Sequence, residues 1–507
     1  MLPTGLPFST TCELLSLVGF SNTGFISVCG AMPHASACTT WARPISPPSG
    51  VEKEFNDIFC ALKGAGWYPS CLKIRQKAAL ITLFPASEQV PTNMIGFKCC
   101  FIMVAKLVKK QDSSYIIFYI CAYLFLNFIR LSKLNTMEKQ KQSQRLLSLD
   151  ALRGFDMFFI MGGGSLFVAL ATLVPTPFFE SIAAQMSHAK WGAGFTFEDI
   201  IFPLFLFIAG ISFPFSLEKQ RERGMSEAAI YKKIIRRGIT LVVLGFVYNG
   251  LLNLNFETQR YASVLARIGL GWMFGALIFV NTRTITRVWI VAAILIGYWL
   301  LLFIPAPDGN GAELFTREGN LACYIDRLLL PGRLHGGNYD PEGILSTLPA
   351  IGTALLGMFT GEFVKLRREG LTETKKVVYM LAVGSCLLVI GLLWGLFFPI
   401  NKYLWTSSFV CTVGGISAIL FAVFYYIVDV KECRGWTLFF TVIGTNSITI
   451  YLAQVFINFT FTANAVFGGF IGLFPETAQP LLGAIAYIAV CWGFLYFLYR
   501  QRIFLKV

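Results

Sequence analysis

Long apolar stretches recur along the chain from residue 148 onwards, each bounded by polar or charged residues. A helix needs about 20 predominantly apolar residues to cross the hydrocarbon core of a bilayer. The pattern therefore predicts an all-α fold, a polytopic membrane helix bundle with about ten transmembrane helices in its core. The predicted spans are residues 152–172, 199–217, 238–254, 262–280, 286–304, 344–364, 377–397, 405–427, 437–457 and 480–498.

The composition of the chain agrees with this pattern. Hydrophobic residues make up 55% of the chain and charged residues 14%, whereas a soluble domain carries about 25% charged residues. The mean hydropathy is +0.63. The formal net charge of +14 indicates, in a membrane protein, cytoplasmic loops that face anionic lipid. We therefore expect an integral, multi-pass protein with membrane lipid as a partner and no nucleic acid partner.

The basic residues are distributed unevenly between the loops. Loops on the side of residues 137–149 contain 19 lysines and arginines, and the opposite loops contain six. Because basic residues favour the cytoplasmic side, this ratio predicts that both termini of the core lie in the cytoplasm, in a plasma (inner) membrane. His188 and the loops 305–343 and 458–479 then lie on the outer side. The six outer basic residues are Lys190, Arg260, Arg317, Arg327, Arg333 and Lys402.

Residues 1–136 differ from the rest of the chain. They contain eight of the 13 cysteines, show no clear helical periodicity, and include an apolar run near 115–131 that is borderline for an extra span. Met137 is followed by a polar stretch that is typical of the lead into a first membrane helix. We interpret residues 1–136 as an N-terminal extension upstream of a native start at Met137. N-terminal sequencing of the natively expressed protein would test this interpretation.

Several polar residues occupy positions where apolar residues would be less costly in a membrane. Such residues normally face the interior of a bundle or a wet cavity, so they predict an internal site. A structural role is the alternative for each: a helix-end ion pair at i,i+3, a glycine packing surface or a buried hydrogen-bond partner. The residues concerned are Asp150, Arg153, Gly162, Gly163, Gly164, Arg267, Asn446, Ser447 and Gln454.

The chain has three histidines, His34, His188 and His335, and their spacing does not suit a metal site. His188 precedes a long apolar helix, and imidazole exchanges protons near pH 7, so His188 is a candidate for proton or acyl transfer. An interfacial packing residue beside Trp191 is the structural alternative. The sequence contains no Gly-x-Ser-x-Gly elbow, no phosphate-binding loop and no Cys-x-x-Cys pair. A soluble-type hydrolase or a metalloenzyme is therefore disfavoured.

The segment around His188 resembles the signature of a known family. His188-Ala189-x-Trp191, followed by Asp199 and Phe202-Pro203, is similar to the signature of the heparan-alpha-glucosaminide N-acetyltransferase family of multi-pass membrane acyltransferases. The resemblance runs from about residue 145 to residue 507, so residues 145–507 are expected to form a membrane acyltransferase domain. Further matching blocks are residues 324–330, residues 339–345, Asn401-Lys402-x-Leu404-Trp405 and Asn446-Ser447.

The resemblance implies a transmembrane acetyltransferase. Acetyl-CoA would bind as co-substrate from the cytoplasmic side, and its acetyl group would pass to the amine of a glucosamine-like amino sugar on the outer side, with no metal. His188 would act as an acetyl carrier or as a base, and we expect direct attack by the amine. The alternative is a multi-pass transporter or glycan flippase without acyl transfer, because such proteins also use interrupted helices. The sequence leaves an oligomer open as well.

The other candidate residues divide between the catalytic step and the two substrates. Asn446 and Ser447 are expected to assist His188 in catalysis by polarising the thioester carbonyl. The residues expected to bind the cofactor acetyl-CoA are Asp150, Arg153 and Arg267. The residues expected to bind the cationic amino sugar are Asp199, Asp326, Asp340 and Glu342. Asp199 also has a structural interpretation, because the helix dipole favours an acid at a helix N-terminus.

Overall fold

The computed structural model describes residues 146–505, which form α-helices joined by loops, with no β-strand in this range. The predicted all-α fold is therefore confirmed. The predicted extension 1–136 and the apolar run near 115–131 lie outside the described residues. In chain order the helices are α1 (Leu147–Phe158), α2 (Gly164–Leu173), α3 (Pro177–Gln185), α4 (Phe197–Glu222), α5 (Glu227–Tyr248), α6 (Val264–Asn281), α7 (Thr284–Leu301), α8 (Leu321–Leu329), α9 (Thr347–Lys365), α10 (Glu373–Trp394), α11 (Ser407–Tyr425), α12 (Thr437–Thr445), α13 (Ser447–Phe456), α14 (Phe459–Ile471) and α15 (Gln479–Arg500).

Nine of the ten predicted spans coincide with helices that are long and apolar enough to cross a membrane. Eight of these spans pass the length and hydropathy requirement on their own, and α12 and α13 form a ninth that is bent by 68°. The remaining prediction, 238–254, has the wrong bounds, because α5 begins at Glu227 and ends at Tyr248. Ser226 caps this helix by accepting a hydrogen bond from the Ala229 amide at 3.3 Å. Lysine and arginine are good helix formers, so a fall in hydropathy does not end a helix.

Helix α4 is the centre of the bundle. In its apolar stretch 78% of the residues are buried, against 22% in α7, α10 and α15, and it packs against α1, α6, α9 and α11. Its contact with α9 is very close: a Cβ added to Gly357 would lie 2.1 Å from the carbonyl oxygen of Phe207. Small residues permit such backbone approach between membrane helices. The first turn of this well-packed helix contains Asp199, so the site described below is attached to the most buried element.

The first membrane helix is interrupted at the predicted glycine triplet. A π-helical turn, Phe159–Gly163, separates α1 from α2, and Gly162 has a φ of 115°, which a residue with a side chain rarely adopts. Helix α2 then runs to Leu173, and α3, which starts at Pro177, packs back against it. The chain therefore returns along α2 before it reaches the segment that contains His188.

The loop between α7 and α9 folds against one end of the bundle. It contains α8, and isolated backbone bridges join Arg260 to Gly332 and Pro305 to Asn320. An apolar cluster holds this loop in place, and Trp191 packs against that cluster. Its buried members are Tyr298, Leu302, Ala322, Cys323, Tyr339, Phe398 and Leu404. The loop and the segment of His188 are therefore packed together.

Candidate active site

The segment between α3 and α4 is held in place by Asp199. Its Oδ2 accepts hydrogen bonds from the Thr196 amide at 3.0 Å, the Thr196 hydroxyl at 3.1 Å and the Ala189 amide at 3.1 Å. Thr196 and Asp199 form a capping box, which satisfies amides at the start of α4. Because Ala189 follows His188 directly, the same carboxylate that begins the helix also fixes the backbone beside the histidine.

His188 lies against the other oxygen of the same carboxylate. Its Nδ1 is 3.0 Å from Asp199 Oδ1; the side chain of Asp199 is 1% exposed and that of His188 is 50% exposed. A carboxylate next to Nδ1 favours the tautomer with the proton on Nδ1, in which Nε2 carries the lone pair that can accept a proton. The pair thus combines a buried, fixed acid with an imidazole that substrates can reach.

Lys402 completes the cluster from the loop that precedes α11. Its Nζ is 3.0 Å from His188 Nδ1 and 3.4 Å from Nε2, and 3.3 Å from Asp199 Oδ1. Burial lowers the pKa of Lys402 below its ordinary value, and the charge of Asp199 opposes that shift. The cluster therefore contains one carboxylate, one imidazole and one largely buried amine.

The loop that carries Lys402 has a strained conformation held by its neighbours. Trp405 has a φ of 51° and is fully buried, and a positive φ at a residue other than glycine costs about 1–3 kcal/mol. The Asn401 amide donates to Thr406 Oγ1 at 3.1 Å, and Asn401 Oδ1 accepts from the Tyr403 amide at 2.8 Å. These bonds turn the chain tightly enough to bring Lys402 to His188.

Aromatic residues join this loop to the segment of His188. Trp191 stacks on Tyr403, with ring centroids 5.3 Å apart, and meets Tyr339 edge-on at 4.9 Å. Its indole nitrogen donates to the carbonyl oxygen of Phe315 at 2.7 Å, and Arg317 lies 5.2 Å above its ring. The loop between α7 and α9 thus packs beside the cluster.

Two of the predicted amino-sugar residues are already bound to an arginine. Arg260 donates to Asp340 from Nε at 2.8 Å and from Nη2 at 2.6 Å, and it also binds Glu342. Burial of Asp340 would raise its pKa, but the bonds and charge of Arg260 lower the pKa below its ordinary value. The charge of Glu342 also opposes the lowering of the Lys402 pKa.

Asp326, a third predicted amino-sugar residue, is buried against the backbone of the same loop. Its Oδ1 accepts a hydrogen bond from the Ile344 amide at 2.8 Å, and burial raises its pKa to about 7. A Cβ added to Gly343 would lie 1.8 Å from Asp326 Oδ2. Of the four predicted amino-sugar residues, the structure therefore places Asp199 in direct contact with His188.

The predicted cofactor residues lie in two different places. Arg153 Nη1 is 3.2 Å from Asp150 Oδ1, and its Nη2 donates to Ser212 Oγ at 2.9 Å. Ser212 lies about 20 Å further along α4 than Asp199, at 1.5 Å per residue. Arg267 lies beside the loop between α7 and α9. Its guanidinium donates to the Gly343 carbonyl oxygen at 3.1 Å and lies 5.0 Å above the Trp405 ring.

Asn446 and Ser447 form the bend between α12 and α13. Asn446 Nδ2 donates to the Ile503 carbonyl oxygen at 3.0 Å, and its Oδ1 accepts from Thr449 at 3.3 Å. The bend lies beside the start of α1, because a Cβ on Gly444 would lie 2.1 Å from the Asp150 carbonyl oxygen. Their predicted role, polarising the carbonyl that reacts at His188, is untested and stays a prediction.

Two chemical groups of the bundle were missed by the sequence reasoning. Lys402 was counted only as one of the outer basic residues, although it lies in the block Asn401-Lys402-x-Leu404-Trp405. Asp156 lies inside the first predicted span; it is fully buried, and both carboxyl oxygens have no hydrogen-bond partner within residues 146–505. An acidic residue within an apolar run is the signal that would have identified it.

The described part of the chain contains no group of three or more His, Cys, Asp and Glu side chains placed to hold a metal ion. The His188 cluster contains one nitrogen base, one carboxylate and one amine, which suits proton transfer and charge stabilisation.

Comparison with known proteins finds sequence similarity to one group of enzymes. Residues 145–393 match the family model described as heparan-alpha-glucosaminide N-acetyltransferase, catalytic. The chain is 28% identical over 426 residues to the heparan-alpha-glucosaminide N-acetyltransferase of Homo sapiens, covering 72% of this chain and 60% of the relative. It is 25% identical over 431 residues to the protein of the same name from Mus musculus, covering 73% and 61%. The chain thus spans about 60% of the length of these relatives, and it is similar to heparan-alpha-glucosaminide N-acetyltransferases both in the family match and in these two alignments.

Proposed function

We propose that the chain is a transmembrane acetyltransferase that moves an acetyl group from cytoplasmic acetyl-CoA to the amine of a glucosamine-like amino sugar on the outer side of the plasma (inner) membrane. The observation that carries this proposal is the contact of His188 with both Asp199 and Lys402 at 3.0 Å. The names of the similar proteins support an N-acetyltransferase. The uneven loop charges support the sidedness.

His188 is the proposed general base. An amino sugar is an ammonium ion at neutral pH and has no lone pair with which to attack, so a proton must first leave. Asp199 accepts the Nδ1–H of His188, and Nε2 of His188 takes a proton from the ammonium group of the sugar. The neutral amine then attacks the carbonyl carbon of the thioester. General base catalysis of this kind contributes roughly 10²- to 10⁴-fold to a rate.

Lys402 is the proposed stabiliser of the negative charge that develops next. Attack by the amine forms a carbon–nitrogen bond and places a negative charge on the carbonyl oxygen, which an ammonium group in a largely buried site stabilises. The carbon–sulfur bond then breaks, and the CoA thiolate takes the proton held by His188. The second proton of the amine passes to solvent, so the products are the acetamide, free CoA and one proton.

We expect a ternary complex rather than an acetyl-histidine intermediate. The side chain of His188 is 50% exposed, and an acetyl-imidazole in contact with water would hydrolyse. Protein mixed with acetyl-CoA and no acceptor should therefore release no burst of free CoA, whereas a covalent intermediate would release about one CoA per active site. A burst of free CoA that is seen with the unaltered protein and is absent from His188→Ala would show an acetyl-histidine intermediate instead of direct attack. The acetyltransferase proposal would remain intact.

The test of the function is thioester turnover by the purified protein. Labelled acetyl-CoA should be consumed only when an amino sugar is present, with label appearing in the sugar. The 68° bend between α12 and α13 supports a second candidate, a transporter or glycan flippase, because such proteins use broken helices at their sites. Reconstituted protein that moves an amino sugar or glycan without acetylating it would establish that alternative instead.

A further inference from the structure

A groove of about 410 Å³ lies between α9 and α10, two helices that are both long and apolar enough to cross a membrane. Phe363 of α9 and Tyr379 of α10 line one end of it, with ring centroids 6.3 Å apart. Leu387 lines it eight residues further along α10, about 12 Å at 1.5 Å per residue. Val383, between these two positions, is 65% exposed, so the groove opens on the outer surface of the bundle.

The groove exists because α10 packs closely against α11 rather than against α9. A Cβ added to Gly415 of α11 would lie 2.6 Å from the Gly384 carbonyl oxygen, and one added to Gly391 of α10 would lie 2.4 Å from the Thr412 amide nitrogen. Small residues permit such backbone approach between membrane helices. Gly384 and Gly414 also line the groove, so its floor has no large side chain to fill the space beside α9.

The lining of the groove is suited to a hydrocarbon chain. Thr360 and Tyr379 are the two lining residues with a polar side chain, and the Thr360 hydroxyl already donates to the Leu356 carbonyl oxygen at 3.0 Å. A polar ligand would therefore lose its hydrogen bonds to water and gain few in return. The groove is about 12 Å long, close to the roughly 15 Å of one leaflet of a hydrocarbon core, so one acyl chain can lie along it.

Two basic residues lie beyond the aromatic end of the groove. The loop 366–372 joins α9 to α10 there, and Arg368 and Lys375 are both exposed. Lys375 Nζ donates to the Gly370 carbonyl oxygen at 2.9 Å, and within residues 146–505 neither side chain has an acidic partner. Lys375 precedes Tyr379 by one helical turn, about 6 Å. A phosphate attached to a chain in the groove can therefore reach these two cations.

We propose that the groove binds one acyl chain of an anionic phospholipid and that Arg368 and Lys375 bind the phosphate of its headgroup. The loop belongs to the side rich in basic residues, and the cytoplasmic leaflet is the one that carries anionic lipid. The site takes no part in the reaction proposed at His188, so each of the two proposals can fail without the other.

Native mass spectrometry of the full-length protein in detergent tests the charged half of the site. Dioleoylphosphatidylglycerol should bind at one molecule per chain and at least tenfold more tightly than dioleoylphosphatidylcholine, since each basic residue near a lipid surface contributes about fivefold. Arg368→Gln combined with Lys375→Gln should remove this preference. Lys233→Gln combined with Arg236→Gln is the matched control, because it removes two exposed charges from α5, and it should keep the preference.

The apolar half of the site is tested by filling the groove. Val383→Trp should weaken the binding of both lipids at least tenfold, whereas Val389→Trp, at a 52% exposed position of α10 that does not line the groove, should leave it unchanged. Undiminished lipid binding in Val383→Trp, or an undiminished preference for phosphatidylglycerol without the two basic residues, would overturn the proposal. So would a dimeric mass that Val383→Trp converts to a monomeric one, because a second copy of the chain would then occupy the groove.

Discussion

At the scale of single residues, the imidazole of His188 is the group on which the proposed chemistry depends. His188→Ala should lower acetyl transfer by roughly 10²- to 10⁴-fold, the contribution expected of a general base. His335→Ala is the matched control, because His335 is also exposed and, within residues 146–505, bonds through its backbone amide, to Asp340 at 3.1 Å. Initial rates with labelled acetyl-CoA measure both variants. Near-normal activity of His188→Ala would make His188 an interfacial packing residue.

Lys402 supports a different part of the same reaction, and its removal should give a different kinetic result. Lys402→Met keeps most of the side-chain volume but removes the charge near the developing oxyanion, so kcat should fall roughly 10²- to 10³-fold. An interaction made only in the transition state changes kcat far more than KM. Lys190→Met, at an exposed lysine of the same segment as His188, should have little effect. A rise in the KM for the amino sugar with unchanged kcat would show that Lys402 binds substrate instead.

Residue identity allowed part of this cluster to be predicted from the sequence. His188 and Asp199 are close in the chain, and Asp199 belongs to the capping box that begins a recognisable apolar helix. Lys402 follows His188 by 214 residues, and only the tight turn at Trp405 brings it back. The partnership of Arg260 with Asp340 and Glu342 was invisible for the same reason: pairing between distant loops depends on packing, not on local pattern.

At the scale of elements, close packing of α4 against α9 holds the first turn of α4 in place. A Cβ at Gly357 would lie 2.1 Å from a backbone oxygen, whereas one at Gly352 on the same helix would meet the Leu295 side chain at 3.4 Å. Gly357→Ala should therefore reduce the free energy of unfolding by about 1–3 kcal/mol, as overpacking does. Gly352→Ala should be close to neutral. Thermal unfolding in detergent compares the two, and equal shifts would contradict the packing described.

Hydropathy identified helices well and their ends poorly. Nine spans were found because crossing a membrane requires a long apolar run whatever the neighbours are. The start of α5 was predicted too far along the chain, because its basic residues lower the hydropathy without disfavouring a helical backbone. These residues are Lys232, Lys233, Arg236 and Arg237. The bend at Asn446 was also missed, since no proline or glycine occupies it, and its conformation depends on contacts with α1 and the C-terminal segment.

At the scale of the whole molecule, α4 connects the two ends of the proposed reaction. Asp199 lies in the first turn of the helix beside His188, and Ser212, about 20 Å further on at 1.5 Å per residue, accepts a hydrogen bond from Arg153. If the donor enters on the side of Arg153 and the acceptor on the side of His188, the two substrates come from opposite sides of the membrane. Such a reaction needs one fixed orientation, which the 19 to six division of basic residues between the loops predicts.

Sidedness is therefore the prediction that tests the molecule as a unit. In a background with the other cysteines replaced, Lys190→Cys should react with an impermeant maleimide added to intact cells, because residue 190 lies beside His188. Lys232→Cys should react only after the membrane is opened, because α5 begins on the side rich in basic residues. Both lysines are exposed, so burial does not explain a difference between them. The reverse labelling would place His188 in the cytoplasm, where the acetyl group would not have to cross the membrane. The proposed chemistry of the His188 cluster would then still be possible, but transfer of the acetyl group across the membrane would be excluded.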